Sequence, residues 1–444
     1  MQTRTEIIAS EFCSSVRDGT HDSPKEVLSG GKPLVTTKHL KGGNIDFDNT
    51  YNISEEDFEK INKRSKVDKW DVLISMIGTV GEVYLVDKEP DYAIKNLGLF
   101  KVGDEINSKW LYFYLKSKIG QNQIRFLLQG STQQYISLKS LRGFPLFVPN
   151  DDKEKEIVVN FLSALESKIK TNQRMNETLE EIAKTLFKSW FIDFDPVRAK
   201  AEGRSTGLSK EISDLFPDSF EDSELGDIPK DWKVESIESL SSKIAMGPFG
   251  SDMKTSTYVE EGVPIISGKQ MSGYLLKDED NNFISPSHAQ KLKNSLVQRG
   301  DTVITQTGTV GQVSLIPQNS KYSQYIVSSR QHFCRPLEDN LQEYLFCFLT
   351  SGKGQHELLK NVVTTGVPSI SRPVTNLKSI QLVHPKRGVL DNFSQIVKPI
   401  LTNISLNISI NRDLSNLRDT ILPKLISGEL KIPDAENLIE EAGI

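Results

Sequence analysis

The side chains best suited to recognition chemistry fall in two short stretches. Gly130–Ser137 reads GSTQQYIS, small hydroxyls joined by two amides and an aromatic ring. Glutamine, serine and threonine carry the donors and acceptors that match base edges, and tyrosine can stack or hold a phosphate. Ser131, Thr132, Gln133, Gln134 and Tyr135 are therefore candidate contacts. The second stretch, TTGVPSISRP from Thr364 to Pro373, has hydroxyls and a cation but no amide; its candidates are Thr364, Thr365, Ser369 and Arg372. Each leads into an Ile-Ser pair, Ile136-Ser137 or Ile370-Ser371, as a shared scaffold with different reading heads would. Further candidates are Arg17, Thr20, His21, Lys38, His39, Lys41 and Asn44. Their later counterparts are Ser251, Lys254, Lys269, Gln270 and Ser272, with Arg330 and Gln331 nearby. Thr79 and Thr309 join them from an identical Gly-Thr-Val-Gly block, Gly78–Gly81 and Gly308–Gly311. Any one of these residues taken alone can equally be a solvated loop residue; the set carries the reading.

Catalytic signatures are absent from the sequence. Ser351–Gln355 (SGKGQ) and Ser267–Gln270 (SGKQ) lack the spacing and the following hydroxyl of a phosphate-binding loop. No Asn/Asp-Pro-Pro-Tyr/Phe element of an amino-methyltransferase occurs, and no glycine-rich cofactor turn follows a strand. His356-Glu357 has no second histidine four residues on, which argues against a zinc hydrolase. Pro90-Asp91 has no acidic-x-Lys partner of a nuclease. Gly-Thr-Val-Gly is read as a tight turn between strands, its glycines serving backbone angles. A binding component is the expectation, with no metal site.

The elements that must position these loops repeat along the chain. Trp70–Val86 (WDVLISMIGTVGEVYLV) matches Gly300–Ile316 (GDTVITQTGTVGQVSLI), and the stretch from Gly31 matches that from Gly262. Short β-branched runs bounded by Gly and Pro predict strands. Amphipathic helices are expected at Trp110–Leu128 and Glu343–Lys360. After each β-rich block comes a seam stepping by four and three: Val158, Leu162, Leu165, Ile169, Asn172, Asn176, Leu179, Ala183, Leu186, Trp190. The second is Phe393, Val397, Ile400, Ile404, Asn407, Asn411, Leu414, Arg418, Ile421, Leu425. Such a spacing predicts a long helix with one apolar edge. Asn172, Asn176, Asn407 and Asn411 interrupt both seams at the same place, and buried amides of this kind fix the register of paired helices. Pro399 should kink the second helix or divide it in two.

The expected fold class is α+β: two similar β-rich recognition domains separated by a pair of long antiparallel, coiled-coil-like helices, with an internal pseudo-two-fold duplication. The expected divisions are 1–150 and 231–386 for the β-rich domains, 151–200 and 387–430 for the helices, 201–230 for a linker and 431–444 for a tail. At 444 residues two or three domains are expected. The three cysteines, Cys13, Cys334 and Cys347, have no metal spacing and suit a reducing compartment. The first residues, MQTRTEIIASEF, lack the apolar core of a signal peptide, and no apolar run approaches a membrane span, so a cytoplasmic location is expected. A net charge of −5 gives no sign of a generic nucleic-acid coat. A DNA reader of this charge needs locally basic faces and partners that share the phosphate contacts.

Several blocks together carry a family likeness: RDGTHDSPK (Arg17–Lys25), LISMIGTVGEVYLV, KSWFIDFDPVRAKAEG (Lys188–Gly203), ELGDIPKDW and LPKLISGEL (Leu422–Leu430). In this order the chain resembles the DNA specificity subunits of type I restriction–modification enzymes over essentially its whole length. It departs at the start, where Met1 falls at the place of an entry strand like Ile228–Leu240, so that edge should be shortened or differently closed. The resemblance implies a non-catalytic subunit reading a bipartite, asymmetric double-stranded DNA target, one half per domain, with the helices as a ruler. It also implies two modification (methyltransferase) subunits docked on the helices, and restriction (motor and nuclease) subunits joining them, as a system of phage defence. No cofactor is then bound by this chain; S-adenosylmethionine, ATP and Mg belong to the partners. Val158–Trp190 spans roughly 50 Å as a helix, against about 34–36 Å between half-sites one turn apart. The alternatives are a self-sufficient methyltransferase or nuclease, against which the missing motifs stand, and a duplicated protein-binding scaffold.

Overall fold

The computed structural model describes residues 4–249 and 252–431, so Ser251 and nearly all of the expected tail lie outside the described residues. The fold mixes helices and sheets in two compact units. One is the chain up to Lys170 together with residues from Ile410 on; the other is Thr171–Ser409. Each is built around a four-stranded antiparallel sheet. In the first unit the strand order is Ser15–Asp18, Leu97–Lys101, Val72–Ser75, Val83–Leu85. In the second it is Ser241–Met246, Gln331–Pro336, Thr302–Thr305, Val313–Leu315. The central strands Val72–Ser75 and Thr302–Thr305 are buried at every residue, which explains their unbroken apolar and small-hydroxyl runs. A second, mixed sheet sits beside each: Lys32–Thr36 pairs parallel with Ala93–Lys95, and Val263–Ile266 parallel with Gln324–Val327.

The expected single helices at Trp110–Leu128 and Glu343–Lys360 are each two. Glu105–Lys116 is followed by Lys118–Phe126, and Gln342–Thr350 by Gly352–Leu359. Ser117 and Ser351 turn out of the helical region, and their hydroxyls accept from the amides of Gly120 and Gly354, capping the second helix of each pair. The apolar run continues across the cap and hides the break.

The first long helix runs Asp152–Phe191 without Gly or Pro and the second Arg387–Ser427. Pro399 does not divide the second one; its missing N–H removes one backbone bond inside a continuous helix. That helix stops at Gly428, with φ +75. In the first unit Val158, Leu162, Leu165 and Ile169 share a core with Leu414, Ile421, Leu422 and Leu425. Arg418, the odd member of its seam, reaches Glu166 at 3.3 Å, and Lys116 meets the same carboxylate at 2.7 Å. In the second unit Ala183, Phe187 and Trp190 pack with Phe393, Val397, Leu401 and Ile404.

The asparagines lie within these contacts. Asn407 donates to the Asn176 carbonyl oxygen at 2.8 Å, and Asn176 donates to the backbone oxygen of Ile404 at 3.4 Å. In the first unit Asn411 donates to the oxygen of Ile169 at 3.2 Å. Asn172 is 2% exposed. Replacing Asn176 with alanine leaves the half-buried Asn407 amide without its acceptor and should cost about 1 kcal/mol in urea unfolding, the low end of the penalty for an unpaired polar group.

The span expected to be a linker, 201–230, is folded. Phe216 and Ile228 are buried with Trp232, Trp190 and Phe191, and Phe220–Glu221 pairs with Ile228–Pro229. Aromatic anchors hold this connecting span against the second unit's core. The first unit does have an entry strand: Arg4–Ile8 pairs antiparallel with Pro145–Pro149, as Lys233–Ser236 does with Gln381–His384. Arg4 is held by Glu154 at 2.6 Å and by the backbone oxygens of Leu425 and Ile426. Among the described residues no helix is long and apolar enough to cross a membrane.

Candidate nucleic-acid interface

In each unit three loops leave the same end of the four-stranded sheet. Because its strands alternate in direction, the end of the first strand, the start of its neighbour and the end of the third come out together. In the first unit these are the loop from Gly19, the turn at Asn96 and the Gly-Thr-Val-Gly connection. In the second they are the loop from Gly247, the turn at Ser329-Arg330 and its own Gly-Thr-Val-Gly connection. Gly19 donates to the oxygen of Leu97 at 2.8 Å and Gly247 to that of Gln331 at 2.9 Å. A Cβ at these glycines would stand 2.4 Å from the Ile94 oxygen or 1.8 Å from the Ser328 oxygen, so no other residue fits this crossing.

The recognition stretches are hairpins clipped onto this end. Gln129 and Tyr135 exchange backbone bonds of 2.8 and 2.9 Å, closing a five-residue loop. Ile136 donates to Met76 at 2.9 Å and Gly78 to Gln134 at 3.3 Å, fastening the loop beside Thr79. In the second unit Val362–Val363 pairs with Ser369–Ile370, while Ile370 donates to Gln306 at 2.9 Å and Gly308 to Pro368 at 3.0 Å. The Gly-Thr-Val-Gly connection is seven residues long rather than a two-residue turn. Its glycines do take left-handed angles, φ +77 and +96 at Gly78 and Gly81, +92 and +85 at Gly308 and Gly311.

This arrangement brings together, all exposed, Thr79 with Ser131, Thr132, Gln133, Gln134 and Tyr135, and Thr309 with Thr364 and Thr365; Ser369 is half-buried beside them. Arg330 is exposed next to Gln306, to whose amide its carbonyl bonds at 2.8 Å, and Arg372 is exposed just past the hairpin. Thr20 and His21 lie on the first unit's sheet end. The His21 ring nitrogens already face Asn96 at 2.9 Å and Asp18 at 3.0 Å. Arg17 is exposed and donates to the backbone oxygen of Arg64. Lys38, Lys41, Asn44, Lys254, Lys269 and Ser272 are exposed. The Lys41–Asn44 hairpin is tied through the Gly42 amide, at 3.0 Å, to Glu82 at the end of the Gly-Thr-Val-Gly connection.

Three candidates are internal, and their assignment as contacts is corrected. Gln270 is 3% exposed; its carbonyl oxygen accepts from the Ser267 amide and hydroxyl, and its amide donates to Glu279. His39, at 1% exposure, fills the same role, accepting from the Thr36 amide at 3.0 Å, and burial lowers its pKa. Gln331 is 1% exposed and accepts from the Ser328 hydroxyl. In each, one side-chain acceptor takes a bond from the backbone amide or hydroxyl three residues upstream.

Sequence reasoning missed an ion pair that recurs in both units, at the end of the four-stranded sheet opposite the loops. Asp71 is paired with Lys101 at 2.8 Å, and Asp301 takes the Arg335 guanidinium through two bonds of 2.8 and 2.7 Å. Burial raises the pKa of both aspartates. The aligned blocks from Trp70 and Gly300 place the two acids in register, which was signal enough to find them. Among the described residues no group of His, Cys, Asp or Glu is arranged to hold a metal.

Residues 10–181 match the family model described as a type I restriction modification DNA specificity domain. The HindI specificity subunit of Haemophilus influenzae is 23% identical over 83% of this chain and 88% of its own length. The MjaIX specificity subunit of Methanocaldococcus jannaschii is 24% identical over 92% of each. Residues 10–181 thus carry the type I specificity domain, and the chain as a whole is similar to type I specificity subunits. The fold agrees: the crystal structure of an S subunit from M. genitalium superposes with a TM-score of 0.55 at 15% identity, covering 96% of both chains. The specificity relatives thus extend across both sheet units, beyond the residues the family model matches.

Proposed function

We propose that this chain is the DNA-reading subunit of a type I restriction–modification complex and is not itself catalytic. The observation that carries the reading is the clipped hairpin built twice on the same sheet end with different side chains, amides and a tyrosine in one unit, valines and threonines in the other. Each unit reads one half of a bipartite, asymmetric target, and a few bidentate contacts of about 1–3 kcal/mol each are enough for discrimination. The matched strand orders support an internal duplication. The asparagine bonds and shared seams support an antiparallel helix pair that sets the unread spacer and docks two methyltransferase subunits; motor and nuclease subunits complete the assembly. S-adenosylmethionine, ATP and Mg belong to those partners.

Mapping methylated adenines in host DNA tests this. Deleting the gene should abolish methylation at one split motif. Exchanging Gly130–Tyr135 for a relative's loop should change one half of that motif and leave the other half and the spacer intact; a changed spacer, or no motif lost, would sink the reading. Lys38→Glu and Lys269→Glu should weaken DNA binding of the assembled complex at all sequences alike. Each should also flatten the dependence of log affinity on log salt by about one unit, as removing a phosphate contact does.

A further inference from the structure

The second unit's hairpin displays a surface that hydrogen-bond reading does not use. Val363 is 46% and Val367 64% exposed, flanking the exposed Thr364 and Thr365. The loop is held rigid at both sides: Val363 pairs with Ser369, Pro368 accepts from Gly308, and Ser371 donates to Asn361 at 2.9 Å. These valines therefore cannot fold away into the core. From Asn361 to Arg372 there is no carboxylate, and the one side-chain amide in this stretch, on Asn361, is bonded to Asn376 at 2.8 Å. Asp and Glu for cytosine, and Asn and Gln for adenine, are thus missing from the tip itself, and the arginines stand beside it rather than on it. The Gly-Thr-Val-Gly connection and the Ser328–Gln331 turn next to it also lack acids, while Arg330 and Arg372 bracket the hairpin with positive charge. An apolar tip between cations fits a site where methyl groups line a groove between phosphates. In duplex DNA the one such group on a base edge is the thymine C5-methyl of the major groove.

We propose that the second unit reads its half-site through thymine methyl groups, packed against Val363, Val367 and the threonine methyls, whereas the first unit reads through amides. The inference rests on the DNA-reading function proposed above and adds its base chemistry. Its test uses the assembled complex with its modification subunits and duplexes carrying the motif found by methylation mapping. Each thymine of the second unit's half-site is replaced in turn by deoxyuridine, which removes only the methyl group. At one or more positions affinity should fall about 4-fold for each methyl group taken away from the valines. Val367→Ala or Val363→Ala should cause a similar loss on the thymine duplex and little further loss on the deoxyuridine one. Indifference to every such replacement, or losses that simply multiply, would overturn the proposal while leaving sequence-specific binding intact. A complex with no sequence preference would overturn both readings. Valine variants that bind DNA normally once assembled but fail to recruit the modification subunits would make this tip a protein surface instead, which also overturns it.

Discussion

Asp301→Ala should destabilise the second unit by about 3–5 kcal/mol, the range for removing one partner of a buried ion pair. The Asp301 side chain is 1% exposed, and its two oxygens take the Arg335 Nε and a terminal nitrogen in a fork, with the Gln298 amide donating to it as well at 2.9 Å. Without the carboxylate, a guanidinium only a quarter exposed keeps its charge and loses its main acceptor. The paired change Asp301→Leu with Arg335→Met should recover most of that loss, because the pair's own attraction is largely offset by the water it gives up. Urea unfolding followed by tryptophan fluorescence measures both, since Trp190 and Trp232 are buried in this unit. A single variant as stable as the original chain would show that the charges are solvated and the pair is incidental. In the first unit Lys101 also bonds Asp68 at 2.7 Å, so Asp71→Ala leaves the ammonium a carboxylate and should cost less.

What could be read from the sequence was whatever repeats at a fixed spacing. The asparagines stood out because the seams around them keep a period near 3.5, and the Gly-Thr-Val-Gly block because both copies are identical. Side chains whose role depends on what lies over them were less legible. Gln270 and Gln331 have the composition of surface readers, and only packing shows them inside. A local signal did exist: Ser267 to Gln270 and Ser328 to Gln331 have the hydroxyl-x-x-Gln spacing of a capping box, and Thr36 to His39 is a near variant. The breaks at Ser117 and Ser351 carried a cap residue too, but the apolar run on both sides outweighed it. Phe216 and Trp232 show the opposite error. Spaced singly among acids, they gave no periodicity, yet their contact at 6.2 Å helps hold the supposed linker in place. The exposure of Val363 and Val367 could not be read at all, because a hairpin tip and a buried strand can share the same apolar residues.

Acidification should weaken the second unit through His332. Its ring is 0% exposed, on a strand between Ile304 and Met246, and neither ring nitrogen has a partner among the protein atoms. Burial alone pushes its pKa down from 6.5 to about 3, so the folded chain keeps the ring neutral where the unfolded chain protonates it. The unfolded state thus binds the extra proton below pH 6.5, and stability falls as pH falls from there toward 3, by about 1.4 kcal/mol per pH unit. Between pH 7.5 and 5.0 the loss from this one residue is about 2 kcal/mol. Asp301 and Glu343, whose pKa values burial raises, act in the opposite sense, since the folded chain takes up their protons first. The comparison that isolates the histidine is therefore with His332→Leu, which leaves those carboxyls in place. The difference in unfolding free energy between pH 7.5 and 5.0 should shift by about 2 kcal/mol in the variant's favour. Equal pH dependence in the two proteins would mean that the ring titrates normally in the fold and is not sealed from solvent. The position aligned with His332 in the first unit's sheet is Gly98, opposite Asp18 and Ile74, so that sheet has no counterpart of the sealed ring; the first unit's own buried imidazole, His39, whose pKa burial also lowers, lies outside that sheet.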